Sequence, residues 1–372
     1  MKFKEMSISG RTVDALEIMK YEEATEVQEK TIPLILQGES LMVRSQTGTG
    51  KTAAFGIGLI ELVSKDRSKK GLILAPTREL ASQICDELRS IAKNHRLRIF
   101  AVYGGQSIGR QISALRKGVD ILVATPGRLL DHMRQRTVRL DGINCIILDE
   151  ADRMLDMGFK PDIDKILGSI SSQKQVLLFS ATLDSNIQKI ARAYMQMPQT
   201  VEIGNVGKVD KIEEEFIELS RAEKFDRLMG ILLQNPRARS LIFLRSKRSV
   251  EHLCRKLRKA EMEVQFLHGG KSQNQREKTV RGFQEGSFRI LVATDVAARG
   301  LHIKDISHVI NYDPADSDDM HTHRIGRTAR NGNGGRAITF VETDPLPKKN
   351  RYSIAKNRGS SKSFKRRKPF AY

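Results

Sequence analysis

At 372 residues the chain is longer than one hydrophobic core ordinarily supports, so two domains are expected. Its 3 cysteines, Cys85, Cys145 and Cys254, lie far apart and outside any CxxC or Cys/His cluster, which excludes a disulfide scaffold and a structural zinc site and implies a reducing compartment. No run approaches the ~20 apolar residues of a membrane span and the N-terminus lacks a signal-peptide core, so the chain reads as cytoplasmic with no membrane partner, while its net charge of +20 points to a polyanion.

In chain order, the short apolar stretch Leu41 to Arg44 is followed by Ser45-Gln46-Thr47-Gly48-Thr49-Gly50-Lys51-Thr52 and then by a helical pattern from Ala53 to Val63. Strand, glycine-rich loop and helix in that order form a phosphate cradle: backbone N–H groups approach the phosphates, Lys51 reaches the β/γ oxygens, and the Thr52 hydroxyl is free for Mg²⁺. Ser45 stands where the usual pattern has Gly, and by itself the segment also fits a flexible Gly/Thr surface loop. Further strand-like runs follow at Gly71 to Ala75, Ile99 to Tyr103, Ile121 to Thr125, Ile143 to Leu148 and Gln175 to Phe179. The fifth run ends in Asp149-Glu150-Ala151-Asp152, carboxylates at the C-terminal end of a buried parallel strand, where open α/β sheets bind ligands. Asp149 is expected to hold Mg²⁺ and Glu150 to orient or deprotonate a water, with Asp152 serving as no more than a helix N-cap.

After residues 203–208 the alternation restarts, with runs at Glu215 to Leu219, Ser240 to Leu244, Val264 to Leu267, Ile290 to Thr294, His308 to Tyr312 and Arg336 to Val341. Tyr103-Gly104-Gly105-Gln106-Ser107 before Ile121-Leu122-Val123-Ala124-Thr125 is echoed by His268-Gly269-Gly270-Lys271-Ser272 before Ile290-Leu291-Val292-Ala293-Thr294, so the halves look like copies. This implies an α/β fold of two mostly parallel sheets with helices on both faces. The expected divisions are 1–205, a linker at 206–211, 212–345, and a tail at 346–372.

The second half has no phosphate loop, but it carries His323-Arg324-Ile325-Gly326-Arg327-Thr328-Ala329-Arg330. Arginines three apart share a helix face, and Arg327 and Arg330 facing the loop would act as arginine fingers, although alone the run equally fits a solvated basic face. The tail holds ten Lys/Arg and no Asp/Glu, half of the net charge, interleaved with Tyr352, Phe364, Phe370 and Tyr372. Its composition predicts disorder and a nucleic-acid partner; Lys365-Arg366-Arg367-Lys368 also fits a localisation signal.

Together these residues resemble the DEAD-box ATP-dependent RNA helicases of superfamily 2, over roughly residues 3 to 342. The matches come in the family's order: Phe3 with Thr25-Glu26-Val27-Gln28, the phosphate loop, Pro76-Thr77-Arg78-Glu79-Leu80, Gly104-Gly105, Thr125-Pro126-Gly127-Arg128, Asp149 to Asp152, Ser180-Ala181-Thr182, Ala293 to Gly300, and His323 to Arg330. The resemblance implies two tandem RecA-like domains, ATP and Mg²⁺ as cofactors, and RNA-stimulated hydrolysis that opens short duplexes or remodels ribonucleoproteins, acting as a monomer. By the same resemblance, Tyr21 stacks on adenine, Gln28 reads its edge, and Gln46 to Thr52 hold the phosphates. Ser180, Thr182, Asp295, His302, His323 and Arg324 couple the domains. Arg78, Gly105, Thr125, Gly127 and Arg128 in the first half, and Gly269, Gln273, Arg276 and Thr294 in the second, touch RNA mostly at phosphate and sugar, without regard to sequence.

The chain departs from the family pattern at three positions. His302 replaces the Asp of Arg-Gly-x-Asp and cannot supply a carboxylate acceptor, which predicts weakened closure and keeps a weakly active or non-catalytic ATP-dependent RNA clamp as the alternative. His321 stands where an aromatic such as Tyr is common. Ala329 replaces a frequent Gly, an exchange expected to cost little because Ala favours helix.

Overall fold

Ile121-Leu122-Val123-Ala124 and Ile290-Leu291-Val292-Ala293 are buried at every residue, as strands covered on both faces must be. The computed structural model describes residues 1–45, 48–170, 174–203, 212–298, 306–329 and 334–343. The expected linker, the tail, Gln46, Thr47, His302 and Arg330 lie outside them.

The first half runs α1 (Gly10–Ile18), α2 (Glu26–Leu36), β1 (Leu41–Arg44), α3 (Lys51–Lys65), β2 (Lys70–Leu74), α4 (Arg78–Ile91), β3 (Ile99–Val102), α5 (Ile108–Arg116), β4 (Ile121–Ala124), α6 (Pro126–Arg134), β5 (Ile143–Leu148), α7 (Ala151–Asp156), α8 (Lys160–Gly168), β6 (Gln175–Ser180), α9 (Ser185–Tyr194) and β7 (Gln199–Glu202). Its strands pair in the order β3-β4-β2-β5-β6-β1-β7. The second half runs β8 (Ile212–Leu219), α10 (Lys224–Gln234), β9 (Ser240–Phe243), α11 (Lys247–Lys259), β10 (Val264–Leu267), α12 (Gln273–Gln284), β11 (Ile290–Ala293), α13 (Asp295–Ala298), β12 (His308–Asn311), α14 (Asp318–Ile325) and β13 (Gly335–Glu342), with strand order β10-β11-β9-β12-β13-β8. Every ladder in both sheets is parallel.

Alternate strand residues feed opposite cores. Val43, Ile73, Val123, Ile147 and Phe179 pack beneath α1 to α4, while Leu72, Leu122, Ile146, Leu148 and Leu178 pack against α6 to α9. The second sheet divides the same way, with Ile242, Val292 and Phe340 on one face and Leu241, Leu291 and Val309 on the other. Phe55 of α3 meets Phe179 of β6 with ring centroids 5.2 Å apart, tying the loop-bearing helix to the sheet; truncating such a ring costs about 3–5 kcal/mol.

Two elements differ from expectation. β7 has no apolar run, because only Val201 of its four residues is buried. β8 begins at Ile212 rather than Glu215: it is an edge strand with exposed Glu213 and Glu214, which hydrophobic patterning passes over.

Candidate active site

Strand order brings the nucleotide machinery together. β5, β6 and β1 are neighbours, so Asp149-Glu150, Ser180-Ala181-Thr182 and Ser45 emerge side by side at one sheet edge although they lie far apart in sequence. Ser45 N–H donates to the Ser180 carbonyl at 2.9 Å and Asp149 N–H to the Leu74 carbonyl at 3.0 Å, extending the ladders into the site. Gly50 caps α3 with φ 92°, a left-handed conformation open to glycine. Lys51 is buried, and its Nζ donates to the Ser45 carbonyl at 2.7 Å, so the ammonium sits over the curl of the loop.

The N-terminal flank closes the pocket. Thr25 and Gln28 form a capping box at the start of α2. Thr25 Oγ1 donates to the Thr49 carbonyl at 2.8 Å and Gln28 Nε2 to the Gly50 carbonyl at 3.1 Å, so this cap also clamps the phosphate loop. Tyr21, Gln28, Lys51, Thr52, Asp149 and Glu150 line one cavity of about 520 Å³, a size suited to a nucleotide.

The acidic segment holds strain and charge. Burial pushes the Asp149 carboxyl up to about 7, with Lys51 opposing the shift and Glu150 adding to it. Glu150 adopts φ 49°, ψ 52°, a left-handed conformation costly for a side-chain-bearing residue and tolerated where the surroundings impose it. Its N–H donates to Asp149 Oδ1 at 3.0 Å, and Arg153 Nη1 donates to its Oε2 at 2.9 Å with both side chains buried. Asp152 is not the expected N-cap. It lies inside the first turn of α7, where its Oδ2 accepts from Ala181 N at 3.0 Å and Thr182 N at 3.2 Å, while its own N–H donates to Ser180 Oγ at 3.3 Å. The Ser-Ala-Thr segment is thus held by Asp152 within the first half.

The second half approaches the same edge. A 290 Å³ cavity is lined by Arg153 and Asp156 from the first half and by Asp295, His323, Arg324 and Arg327 from the second. Desolvation lowers the His323 pKa, with Arg153 and Arg327 adding to the shift and Asp152 and Glu150 opposing it, so its ring senses charges from both halves. Arg324 is buried and bidentate on Asp295, at 2.6 and 2.7 Å, and Nη1 reaches the Asn311 side chain and the Asp313 carbonyl; all these partners belong to its own half. The shared helix face expected for the arginines is not formed: α14 ends at Ile325, and Arg327 follows in a turn with its Nε donating to the His323 carbonyl at 3.2 Å. Ala329 has φ 52°, so the expectation that it costs little as a helix former also fails; the chain there is left-handed, where Gly is unstrained. The His321 ring stacks on exposed Phe216 at 5.9 Å, retaining an aromatic contact.

The remaining sequence-selected residues line a second edge. β3, β4 and β2 are neighbours, and from their C-terminal ends come Gly104-Gly105, Thr125-Pro126-Gly127-Arg128 and Thr77-Arg78. Arg78 is exposed and lies beside the Gly104-Gly105 turn. In the second half, β10, β11 and β9 end near Gly269, Thr294 and Lys247. A Cβ on Gly269 would be 3.8 Å from Lys247 Nζ, a cation that sequence reasoning left out. Gln273 and Arg276 lie at this edge too, but their contacts cross between halves: Arg276 Nη2 pairs with buried Glu79 at 2.8 Å, and Gln273 Nε2 donates to the same carboxylate at 3.4 Å.

Residues 25–190 match the DEAD/DEAH box helicase family and residues 223–332 the helicase conserved C-terminal domain. The DEAD-box ATP-dependent RNA helicase CshA of Bacillus subtilis is 43% identical over 342 residues, covering 91% of this chain and 69% of that protein. The chain belongs to the DEAD-box ATP-dependent RNA helicase family. Among solved structures of DEAD-box proteins, Saccharomyces cerevisiae Dbp5 bound to RNA and ADP BeF3 is 30% identical with a TM-score of 0.81, covering 92% of this chain and 90% of that one. The DEAD box protein of Methanococcus jannaschii is 40% identical but scores 0.55, covering 92% and 93%. No described helix is long and apolar enough to cross a membrane.

The site's chemistry fits nucleotide and cation. Asp149 and Thr52 in the cavity lining offer a carboxylate and a hydroxyl, a donor set that fits Mg²⁺ carried in with phosphates better than a caged ion. Arg153 was missed in the sequence, although its i,i+3 spacing from Glu150 was a usable signal. Glu79 stood in the matched Pro76 to Leu80 segment without a role assigned to it, and Lys247 had no local signal.

Proposed function

We propose that this chain hydrolyses ATP when its two halves close together on RNA, and uses that closure to open short duplexes locally or to remodel RNA–protein complexes. One observation carries the reading: Lys51, Asp149 and Glu150 line a cavity at one sheet edge of the first half, and Arg153, which pairs with Glu150, lines a cavity together with His323 and Arg327 of the second. Lys51 would exchange the Ser45 carbonyl for phosphate oxygens. Thr52 and Asp149 would hold Mg²⁺, which supplies charge neutralisation at the phosphates and favours the ionised Asp149 carboxylate over its neutral form. Glu150, steadied by Arg153, orients or deprotonates the attacking water. Arg327 stabilises charge on the transferring phosphoryl group, a role with Arg330 that contributes ~10³–10⁵ in rate in arginine-finger enzymes. Tyr21 and Gln28 select adenine.

RNA follows the second edge, with Arg78, Gly105, Thr125, Gly127, Arg128, Gly269 and Thr294 gripping phosphate and sugar, and Lys247 adding a cation. The chain acts in the cytoplasm as a monomer, with RNA–protein complexes as substrates, and is divided at the boundaries expected from its sequence. The tail at 346–372 contributes nonspecific phosphate contacts: truncation after Pro345 lowers RNA affinity and flattens its salt dependence, by about 0.7 in log–log slope for each lost contact to a single strand. An unchanged slope would give the tail another role.

The deciding experiment is steady-state phosphate release with and without single-stranded RNA, for wild type and Lys51→Ala. RNA stimulation that disappears in the variant is expected. ATP-dependent RNA binding with no turnover in the wild type would make the chain a clamp, the outcome His302 motivates.

A further inference from the structure

A polar contact between the halves outside the nucleotide cleft centres on Glu277 of α12, which neither the nucleotide chemistry nor the RNA grip uses. Tyr103 Oη donates to Glu277 Oε1 at 3.3 Å, and Gln106 Nε2 donates to both carboxylate oxygens, at 3.2 and 3.4 Å. Gln273 Nε2 donates to the same Oε1 at 3.1 Å. Tyr103 and Gln106 flank Gly104-Gly105, the turn assigned above to RNA. Gly105 has φ +83°, and a Cβ on it would stand 3.1 Å from Gln273 Cβ, so the halves meet at the turn itself.

The other end of Tyr103 is braced. Its carbonyl accepts from Gln111 Nε2 at 2.9 Å; Gln111 Oε1 faces His132 Nε2 at 2.9 Å; and His132 Nδ1 faces Thr137 Oγ1 at 2.8 Å. Gln111 and His132 are buried, and His132 belongs to α6, whose first turn carries Gly127 and Arg128. A continuous hydrogen-bonded path therefore joins α6, the Gly-Gly turn and α12 of the other half.

We propose that Glu277 is a closure latch: by accepting from Tyr103 and Gln106 it holds the Gly104-Gly105 turn in its RNA-gripping position only when the halves are together. Glu277 is a positioning residue that touches neither nucleotide nor RNA. Among the described residues its partners are all neutral donors, so its acceptor oxygens matter more than its charge. This separates the latch from simple electrostatics, because removing a carboxylate near an RNA path would by itself strengthen RNA binding.

The proposal rests on the RNA-stimulated ATPase reading and is tested with the full chain. For Glu277→Ala, the RNA concentration giving half-maximal ATPase should rise about tenfold, while kcat at saturating RNA and ATP affinity without RNA stay near wild type. Glu277→Gln, which keeps an acceptor oxygen, should restore most of the loss, and Tyr103→Phe should weaken RNA dependence in part and non-additively with Glu277→Ala. Interdomain energy transfer between dyes on introduced surface cysteines, feasible because Cys85, Cys145 and Cys254 are buried, should show less RNA-induced closure in Glu277→Ala. Wild-type RNA dependence in Glu277→Ala, tighter RNA binding in both Glu277 variants, or a fall in kcat alone would each overturn the latch. Failure of the underlying reading would look different: wild type itself would show no RNA stimulation.

Discussion

Single residues in this chain carry backbone strain whose meaning depends on position. Glu150 and Ala329 both occupy the left-handed region, but Glu150 is fixed by Asp149 and Arg153 in the active site, whereas Ala329 lies in a turn after α14. Strain at Glu150 aims a carboxylate, so relieving it would remove function. At Ala329 the left-handed conformation costs ~1–2 kcal/mol for a residue with a Cβ, partly offset by the greater chain entropy of glycine. Ala329→Gly should therefore stabilise the second half by up to about 1 kcal/mol without altering ATP affinity. Urea unfolding followed in that half tests this, and an unchanged or lower midpoint would count against it. Sequence alone suggested that Ala in place of Gly costs little there, because helix propensity was applied to a residue that is not helical.

Among elements, the contact of α2 with the start of α3 is sensitive to a small change. Gly50 lies between them with φ +92°, and a Cβ there would stand 2.5 Å from Gln28 Nε2 and 3.1 Å from Thr25 Oγ1. Gly50→Ala must then either strain the loop or push Gln28 out of its capping box, costing at least about 1–2 kcal/mol and raising the KM for ATP. Thermal melts and ATP titrations read both effects; ATP binding at wild-type strength would show that the cap and the loop are not coupled. The motif spacing identified both segments, but that the adenine-side cap holds the phosphate loop is visible only in the folded contact. The turn after α14 teaches a similar lesson: the i,i+3 spacing of the arginines suggested one helical face, and the helix ends before Arg327.

For the whole molecule, stability should depend on acid through buried imidazoles. Burial lowers the pKa values of His95, His132 and His308 from 6.5, so each is favoured neutral in the fold. The unfolded chain takes up protons first as pH falls, so this stability is present above 6.5 and is lost as pH drops through 6.5 toward the lowered folded values. His95 ties α1 to α3, with Thr12 Oγ1 at 2.8 Å from Nε2 and Ser64 Oγ at 2.9 Å from Nδ1; around it, Glu61 opposes the shift while Arg11 and Arg67 reinforce it. The unfolding temperature should fall from about pH 7 to about pH 5, and His95→Gln, which keeps one donor and one acceptor, should make the fall shallower. An identical slope in the variant would remove His95 from this account.

By itself the sequence determined the alternation of strands and helices, the duplicated halves, the phosphate loop and the acidic pair. All of these are local, being periodicity, turn chemistry or residue order within a few positions. Tertiary structure alone decided which of them meet. The order β3-β4-β2-β5-β6-β1-β7 sets nucleotide residues at one stretch of the sheet edge and the proposed RNA residues at another, and nothing in an apolar run encodes its neighbours. The same reason hides Asp152 beneath Ser180 to Thr182, Glu79 against Arg276, and Glu277 against Tyr103: each is a polar pair between remote segments, formed only once the cores beneath have packed.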